Sequence, residues 1–205
     1  MVEYAKKHFS HPKICYDVLD IAGNGVPDFI RRYGRFDRVY SFFCLNWTND
    51  QVTGFKNIAE LLKPGGGCLL LFRASGNLMR LNKKMAAMNH WQKYRKVFEN
   101  TIPPSADLVH RDALLSYISG LLKNADLTPT TCEVLEEKDV YSSAEEVTRL
   151  FTDMSSHSTL VTNEEKLLLH KEVAEEVAKL WADQEAGVAP FRSTVFLVRA
   201  QKPRP

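Results

Sequence analysis

Residues 36–72 read FDRVYSFFCLNWTNDQVTGFKNIAELLKPGGGCLLLF, and their pattern decides the fold class. FDRVYSFFCL at 36–45 is apolar and aromatic along nearly its whole length, which predicts a strand covered on both faces. After cap residues at 48–50, apolar residues recur at helical spacing from Val52 to Leu62. KPGGG at 63–67 then stops the helix, and CLLLF predicts a second buried strand. Strand, helix and strand joined by short links are typical of parallel βαβ units, and therefore of a three-layer α/β sheet.

The flanking segments extend this pattern over the whole chain. Two segments before residue 36 predict a strand and a short helix: ICYDVLDI at 14–21 and VPDFIRRYG at 26–34. Later segments predict helices at 77–100 and at about 106–124, a β segment at 128–142, two helices opened by the capping boxes Ser143/Glu146 and Thr162/Glu165, and a last strand at 193–200. We expect a single domain over residues 1–205, with helical insertions at 77–127 and 142–187 forming a lid.

Composition narrows the function class only a little. The chain has 205 residues and a net charge of +2, so charge gives no argument for a nucleic-acid partner or an anionic membrane surface. We expect a cytoplasmic protein, because the N-terminal residues contain no apolar signal core and no apolar run approaches the length of a membrane helix. The four cysteines lack metal-ligand spacing, so we expect no metal site and a reducing compartment.

The same residues carry a resemblance to a known family. FDRVYSFFCLNW, a helix, and then IAELLKPGGGCLLLF is similar to the fourth strand, fourth helix and fifth strand of class I S-adenosylmethionine-dependent methyltransferases. The segment SFFCLNW is a more specific signal, and it resembles the arthropod juvenile hormone acid methyltransferase group. The opening MVEYAKKHF…ICYDVLDIA and the closing PFRSTVFLVRAQKP resemble the same group. The resemblance implies an incomplete Rossmann-like fold with a mostly parallel sheet, flanking helices and an antiparallel last strand.

The chain departs from the family pattern at its beginning. The family opens with a strand, a glycine-rich loop, a helix and a second strand, and none of these precedes ICYDVLDIA here. We therefore expect a chain truncated at the N-terminal side, with exposed strand edges, marginal stability and poor cofactor affinity. A second departure is Asn46, since the group more often has His before its Trp.

Site residues follow from the chemistry together with the resemblance. Methylation of a carboxylate needs alignment and removal of water more than a strong base, because the acid is already ionised at neutral pH. Trp47, with an indole N–H and a large apolar ring, and Asn46, with an amide, are the candidate catalytic residues. The alternatives are a core tryptophan at a strand–helix junction and an asparagine that caps a turn.

The resemblance also implies where the cofactor and the acid bind. Asp20 and Ile21 stand where the family's third strand meets the adenine, and Ser41 and Phe42 where its fourth strand passes the methionine moiety. Phe151 and Met154, with Trp47, are candidates to line a pocket for a long-chain acid. For each of these residues a purely structural role is the alternative, as a strand-end aspartate or as part of an amphipathic core stripe.

Two functions of different classes therefore stand open. The first is methyl transfer from S-adenosylmethionine to a small-molecule carboxylic acid of the farnesoic or juvenile-hormone-acid type, or to another small acceptor. The second is a non-catalytic methyltransferase remnant, an interaction module that binds a partner through exposed sheet edges. An interpretation that the chain begins at an internal Met also remains open at this stage.

Overall fold

The sheet is the centre of the molecule. The computed structural model of the protein describes residues 1–154 and 160–204, and in them the chain forms four strands: β1 (Phe36–Phe42), β2 (Leu62–Gly76), β3 (Thr128–Lys138) and β4 (Arg192–Gln201). Their order is β1-β2-β4-β3, with β1 parallel to β2 and β4 antiparallel to both of its neighbours. Three strands therefore run in one direction and β4 in the other. This confirms the expected mostly parallel sheet with an antiparallel last strand.

Helices connect the strands at nearly the expected positions. The α-helices of the described residues are α1 (Val2–His8), α2 (Val26–Tyr33), α3 (Gln51–Leu61), α4 (Asn77–Ala87), α5 (Arg95–Glu99), α6 (Arg111–Asn124), α7 (Ala144–Met154) and α8 (Asn163–Glu185). The helix expected at 77–100 is interrupted by a 3-10 turn at Asn89–Tyr94. α6 begins later than expected because two prolines, Pro103 and Pro104, precede it and the following residues form turns.

The strand expected at 14–21 does not form, and this prediction was wrong. Apart from an isolated bridge between His11 and Ile14, the segment is irregular. A strand exists only when a neighbouring strand takes up its backbone hydrogen bonds, and no described strand pairs with this segment. Ile14 and Val18 are accordingly exposed, whereas Asp17 accepts hydrogen bonds from Arg32 (3.0 Å) and Tyr33 (2.8 Å) of α2.

The main core covers one face of the sheet. Phe72, Phe196 and Leu70 point into it from the strands, while α3 supplies Phe55 and α6 supplies Ile118. Alternate strand residues point to the opposite face. The prediction that β1 is covered on both faces was also wrong, since Tyr40 and Phe42 are 62% and 58% exposed.

On that second face the neighbouring strands are only partly covered. Leu69, Leu71 and Leu197 are half-buried. The described residues therefore place the helices α3 and α6 against one face of the sheet, rather than a helical layer against each face as the three-layer expectation required.

Glycine at the start of β2 lets its backbone approach that of β1 closely. A Cβ on Gly66 would lie 2.9 Å from the carbonyl oxygen of Lys63 and 3.2 Å from those of Phe36 and Asp37, so only glycine fits this close approach of backbones. Lys202, just after β4, donates its ammonium group to the carbonyl oxygens of Ala59 (2.7 Å) and Leu62 (3.1 Å). A basic side chain from the C-terminal segment thus bonds two carbonyl oxygens at the junction of α3 and β2.

A second apolar cluster lies in the helices outside the sheet. Trp91, Phe98, Phe151, Val173 and Phe191 are buried in it. The cluster joins α4, α5, α7 and α8 into one cap. Carboxylates of α8 link this cap together, since Glu172 accepts hydrogen bonds from Trp91 Nε1 and contacts His90 Nε2 at 2.7 Å. Within the described residues, no helix combines the length and the apolar character that crossing a bilayer requires.

Candidate active site

An apolar cavity lies where the parallel strands β1 and β2 end. Its volume is about 160 Å³. The described residues that line it come from the turn after β1, the end of β2, α4, the segment after α5 and the end of α7: Phe43, Asn46, Trp47, Arg73, Gly76, Leu78, Met79, Asn82, Thr101 and Met154. The carboxyl ends of parallel strands are where ligands bind in open α/β sheets, so this cavity is the candidate site.

The turn after β1 brings Trp47 and Asn46 to the cavity. Phe43 adopts a positive φ of 53°, a conformation that side chains other than glycine seldom adopt, and its N–H donates to Leu71 O at 2.7 Å. This backbone reversal ends β1 and leads into the 3-10 turn Leu45–Trp47. Strained backbone of this kind is concentrated at functional sites, so its position at the cavity rim supports the choice of site.

Asn46 and Trp47 form one hydrogen-bonded unit. With the Asn46 amide oriented so that both of its atoms are satisfied, Nδ2 donates to Phe43 O (3.1 Å) and Oδ1 accepts from Trp47 Nε1 (3.0 Å). Asn46 is buried, whereas Trp47 is 37% exposed and lines the cavity. The sequence placed both residues at the site. In this geometry the indole N–H is bonded to Asn46, so the ring surface is what Trp47 offers to a ligand.

Two polar side chains that the sequence analysis missed complete the wall. Asn82 on α4 donates through Nδ2 to Thr101 Oγ1 (2.8 Å), while its Oδ1 is buried without a hydrogen-bond partner among the described residues. Arg73, on β2, lies 3.4 Å from Asp139 Oδ1 through Nη2. An arginine that directly follows the apolar run CLLLF was a signal in the sequence for a charged group at the strand end.

Of the two candidates from the second helical insertion, one lines the cavity and the other does not. Met154, the last residue of α7, lines the cavity. Phe151, one turn earlier, is buried in the apolar cluster of the cap and is absent from the cavity's described lining. Residues one turn apart on a helix can differ in this way where the helix leaves the core at its end.

Asp20 and Ile21, the residues proposed for the adenine end of the cofactor, lie in the loop before α2 and are not among the described residues that line the cavity. Asp20 accepts a hydrogen bond from Ala22 N (3.0 Å) through Oδ1, and its Oδ2 makes no hydrogen bond to the described residues. Asn57 of α3 holds the adjoining loop, donating through Nδ2 to Ile21 O (2.8 Å) and Gly23 O (3.0 Å). Partial desolvation, with the nearby Asp20 carboxylate, raises the pKa of the Cys44 thiol.

The two candidates on β1 differ in exposure. Ser41 is half-buried, and Phe42 is largely exposed. Both stand opposite β2, in register with Leu70 and Leu71. Neither side chain is among the described residues that line the cavity.

No metal site accompanies these residues in the part of the chain that the structure describes. None of its histidines, cysteines and carboxylates group in threes in a way that could hold an ion. The cavity wall instead combines aromatic and thioether surface with a few amide and guanidinium groups. Such a wall suits an apolar ligand with one polar end.

Comparison with known proteins agrees with this geometry. Residues 1–70 match the model of the methyltransferase domain family. A crystal structure of a candidate methyltransferase from Bacillus halodurans superposes with a TM-score of 0.54 at 17% identity, covering 98% of this chain and 78% of that one. The chain has a class I methyltransferase-like fold.

The relatives that match by sequence include a more specific group of methyltransferases. The juvenile hormone acid O-methyltransferase of Drosophila melanogaster is 39% identical over 106 residues, which are 51% of this chain and 35% of that protein. The enzyme of the same name from Bombyx mori is 35% identical over 107 residues, 52% of this chain and 37% of that protein. The resemblance to class I methyltransferases, and within them to this group, is thereby confirmed. The matched segments span about a third of the length of these relatives.

Proposed function

We propose that this methyltransferase-like chain transfers a methyl group from S-adenosylmethionine to the carboxylate of a small apolar acid of the farnesoic or juvenile-hormone-acid type. The observation that carries the proposal is the apolar cavity at the carboxyl ends of β1 and β2, with the Trp47 ring in its wall. The likeness to the juvenile hormone acid O-methyltransferases supports the acid as the substrate class.

The residues near Asp20 fit the adenine end of the cofactor. Asp20 Oδ2 is a carboxylate oxygen without a hydrogen bond to the described residues, and it can accept from an amino group. Asn57 fixes the loop that holds Ile21, a half-buried apolar residue suited to pack against an adenine ring. When bound, the cofactor supplies a methyl group attached to a positively charged sulfur.

The chain's own contribution to the reaction is positioning and exclusion of water. The carboxylate is ionised at neutral pH, so no residue must remove a proton from it. Trp47, Leu78, Met79 and Met154 surround the acid with apolar surface, which removes the water that would stabilise the carboxylate and favours a close approach to the methyl donor. We also propose that 77–127 and 142–187 act as the cover of this site, since α4 and the end of α7 form part of its wall.

The size of the cavity limits how much of the acid it encloses. A cavity of about 150 Å³ accommodates a molecule of the size of benzene, and this cavity is of about 160 Å³. It therefore encloses the carboxyl end and the first few carbons of the acid. The remainder of a longer chain extends out of the cavity.

Mass spectrometry of a reaction mixture tests the proposal. The chain is incubated with S-adenosylmethionine and farnesoic acid, and methyl farnesoate is the expected product. A matched reaction with farnesol in place of the acid should give no methylated product. Absence of the ester while S-adenosylhomocysteine binds in calorimetry would contradict methyl transfer to this acid.

One observation favours the second candidate function, an interaction module. The outer edge of β1 has no neighbouring strand among the described residues, and Tyr40 and Phe42 stack with ring centroids 6.4 Å apart on its exposed face. Size-exclusion chromatography with and without S-adenosylmethionine separates the two functions. A stable dimer whose melting temperature does not respond to the cofactor would favour the module.

A further inference from the structure

The one charged side chain among the described residues that line the cavity is Arg73. It lies on β2 two residues beyond Leu71, the last residue paired with β1, and therefore past the end of the parallel pair. The pairing of β2 with β4 shifts register between Arg73 and Ser75. Irregularities of this kind re-aim side chains next to binding sites.

A partly buried carboxylate holds Arg73 from one side. Asp139 Oδ1 lies 3.4 Å from Nη2 and also accepts a hydrogen bond from Ser193 Oγ at 3.1 Å. The Asp139 side chain is 13% exposed and that of Arg73 is 28% exposed. A guanidinium has five N–H donors, and among the described residues only Asp139 receives a hydrogen bond from it. Most of its donors are therefore free for a ligand.

These features give the polar end of the cavity a definite chemistry. A guanidinium stays protonated at any ordinary pH, and its planar donors match the two oxygens of a carboxylate. The other donor expected to hold the acid, the indole N–H of Trp47, is bonded to Asn46. We propose that Arg73 binds the carboxylate of the acid substrate and thereby selects acids over the corresponding alcohols.

This inference rests on the proposed function for the identity of the ligand, but its test does not depend on catalysis. A carboxylate could also come from the methionine moiety of the cofactor. The test therefore measures the binding of the acid, of the alcohol and of the cofactor product S-adenosylhomocysteine separately. Binding of each ligand to the full chain is followed by isothermal titration calorimetry at neutral pH, with farnesoic acid, farnesol and S-adenosylhomocysteine as probes.

The expected result is a change in preference and not a general loss of binding. Wild type should bind the acid at least about tenfold more tightly than the alcohol, the size expected for a hydrogen bond between charged groups. Arg73→Gln should bring the two affinities within about twofold of each other and leave the alcohol affinity unchanged. Arg73→Lys, which keeps the charge but not the planar fork, should give an intermediate preference.

Arg80→Gln is the matched control, because it removes the same charge from an exposed position of α4. It should leave the preference for the acid unchanged.

Equal binding of acid and alcohol to wild type, or no measurable binding of the acid, would overturn the inference. So would joint loss of acid and alcohol binding in both Arg73 variants, since Arg73 would then be a structural partner of Asp139. Loss of S-adenosylhomocysteine binding with the acid preference intact would assign Arg73 to the cofactor and overturn it too. A preference for the acid that depends on Arg73, without ester formation, would refute the proposed reaction and leave this inference standing.

Discussion

Trp47 Nε1 donates to Asn46 Oδ1 across 3.0 Å, so two adjacent residues of the chain satisfy each other at the rim of the cavity. Asn46 in turn donates to Phe43 O at 3.1 Å, which closes the turn on itself. The turn is therefore a fixed unit that holds the indole ring in the cavity wall. Trp47 contributes apolar surface to the cavity, and its indole N–H stabilises the turn through the hydrogen bond to Asn46.

The first prediction separates ring from N–H at Trp47. Because Nε1 is bonded to Asn46, Trp47→Phe should keep most of the function of the wall, with ester formation within about fivefold of wild type. Trp47→Ala removes the ring and should lower the rate by about tenfold or more, the scale on which positioning and exclusion of water act. Initial rates of methyl farnesoate formation are the measurement. Equal loss in both variants would contradict this prediction, because it would show that the site requires the indole N–H and not only the ring.

A second prediction concerns Asn46 as the support of this turn. Asn46→Leu leaves Phe43 O without its buried donor and should reduce the free energy of unfolding by about 1–3 kcal/mol. Asn46→Asp retains an acceptor for Trp47 Nε1 but loses the donor to Phe43 O. Urea denaturation of both variants gives the measurement. Wild-type stability for Asn46→Leu would mean that the amide does not hold the turn.

Two glycines should respond in opposite directions to the same change. Gly66→Ala places a Cβ 2.9 Å from the backbone oxygen of Lys63 at the start of β2, so we expect a loss of about 2 kcal/mol in the free energy of unfolding. Gly120, inside α6, has no atom within 4 Å of an added Cβ, so Gly120→Ala should raise stability by about 0.5–1 kcal/mol. Denaturation by urea compares the two variants directly. A neutral Gly66→Ala would show that the backbone at the start of β2 can shift.

Lys202 should stabilise α3 from outside the helix. Lys202→Met removes a donor from two carbonyl oxygens at the end of α3 and should reduce the free energy of unfolding by about 1 kcal/mol. Lys56→Met is the control, because Lys56 is exposed in the middle of the same helix. If both variants lose the same stability, the ammonium of Lys202 has no specific role.

The lowered pKa of Glu165 predicts that the stability of the fold decreases at acid pH. Its hydrogen bonds with Lys93, Thr162 N and Tyr94 lower its pKa to about 2. A depressed pKa in the folded state adds stability above the pKa of the unfolded chain, roughly 4.3. This contribution should be lost as the pH falls from about 4.3 towards 2.

The Glu165→Gln variant tests that assignment. It should be less stable than wild type at neutral pH, and the gap between the two stability curves should narrow as the pH falls from about 4.3 and close near pH 2, where the Glu165 carboxylate becomes protonated in the folded state as well. Thermal unfolding at a series of pH values measures the difference. A gap between the curves that stays constant down to the lowest pH would assign the effect to packing and not to charge.

The sequence alone predicted much of the architecture. The strand β1, the helix α3 and the strand β2 follow from local hydrophobic spacing and from the glycines at 65–67, which are properties of neighbouring residues. The α8 capping box at Thr162 and Glu165 likewise depends on residues three apart. The strand predicted at 14–21 failed because a strand needs a partner, and its own residues do not say whether one is present.

The candidate site also has features that the sequence predicted and features that only the tertiary structure decided. The sequence analysis named Trp47, Asn46 and Met154 as site candidates from the resemblance and the expected chemistry, and all three line the cavity. Only the tertiary structure decided that Asn46 takes up the indole N–H and that Arg73 reaches Asp139, 66 positions away in the chain. Contacts between residues so far apart depend on the register of strands and on helix packing, which no local pattern encodes. The chemistry of the cavity's polar end was therefore decided by the fold.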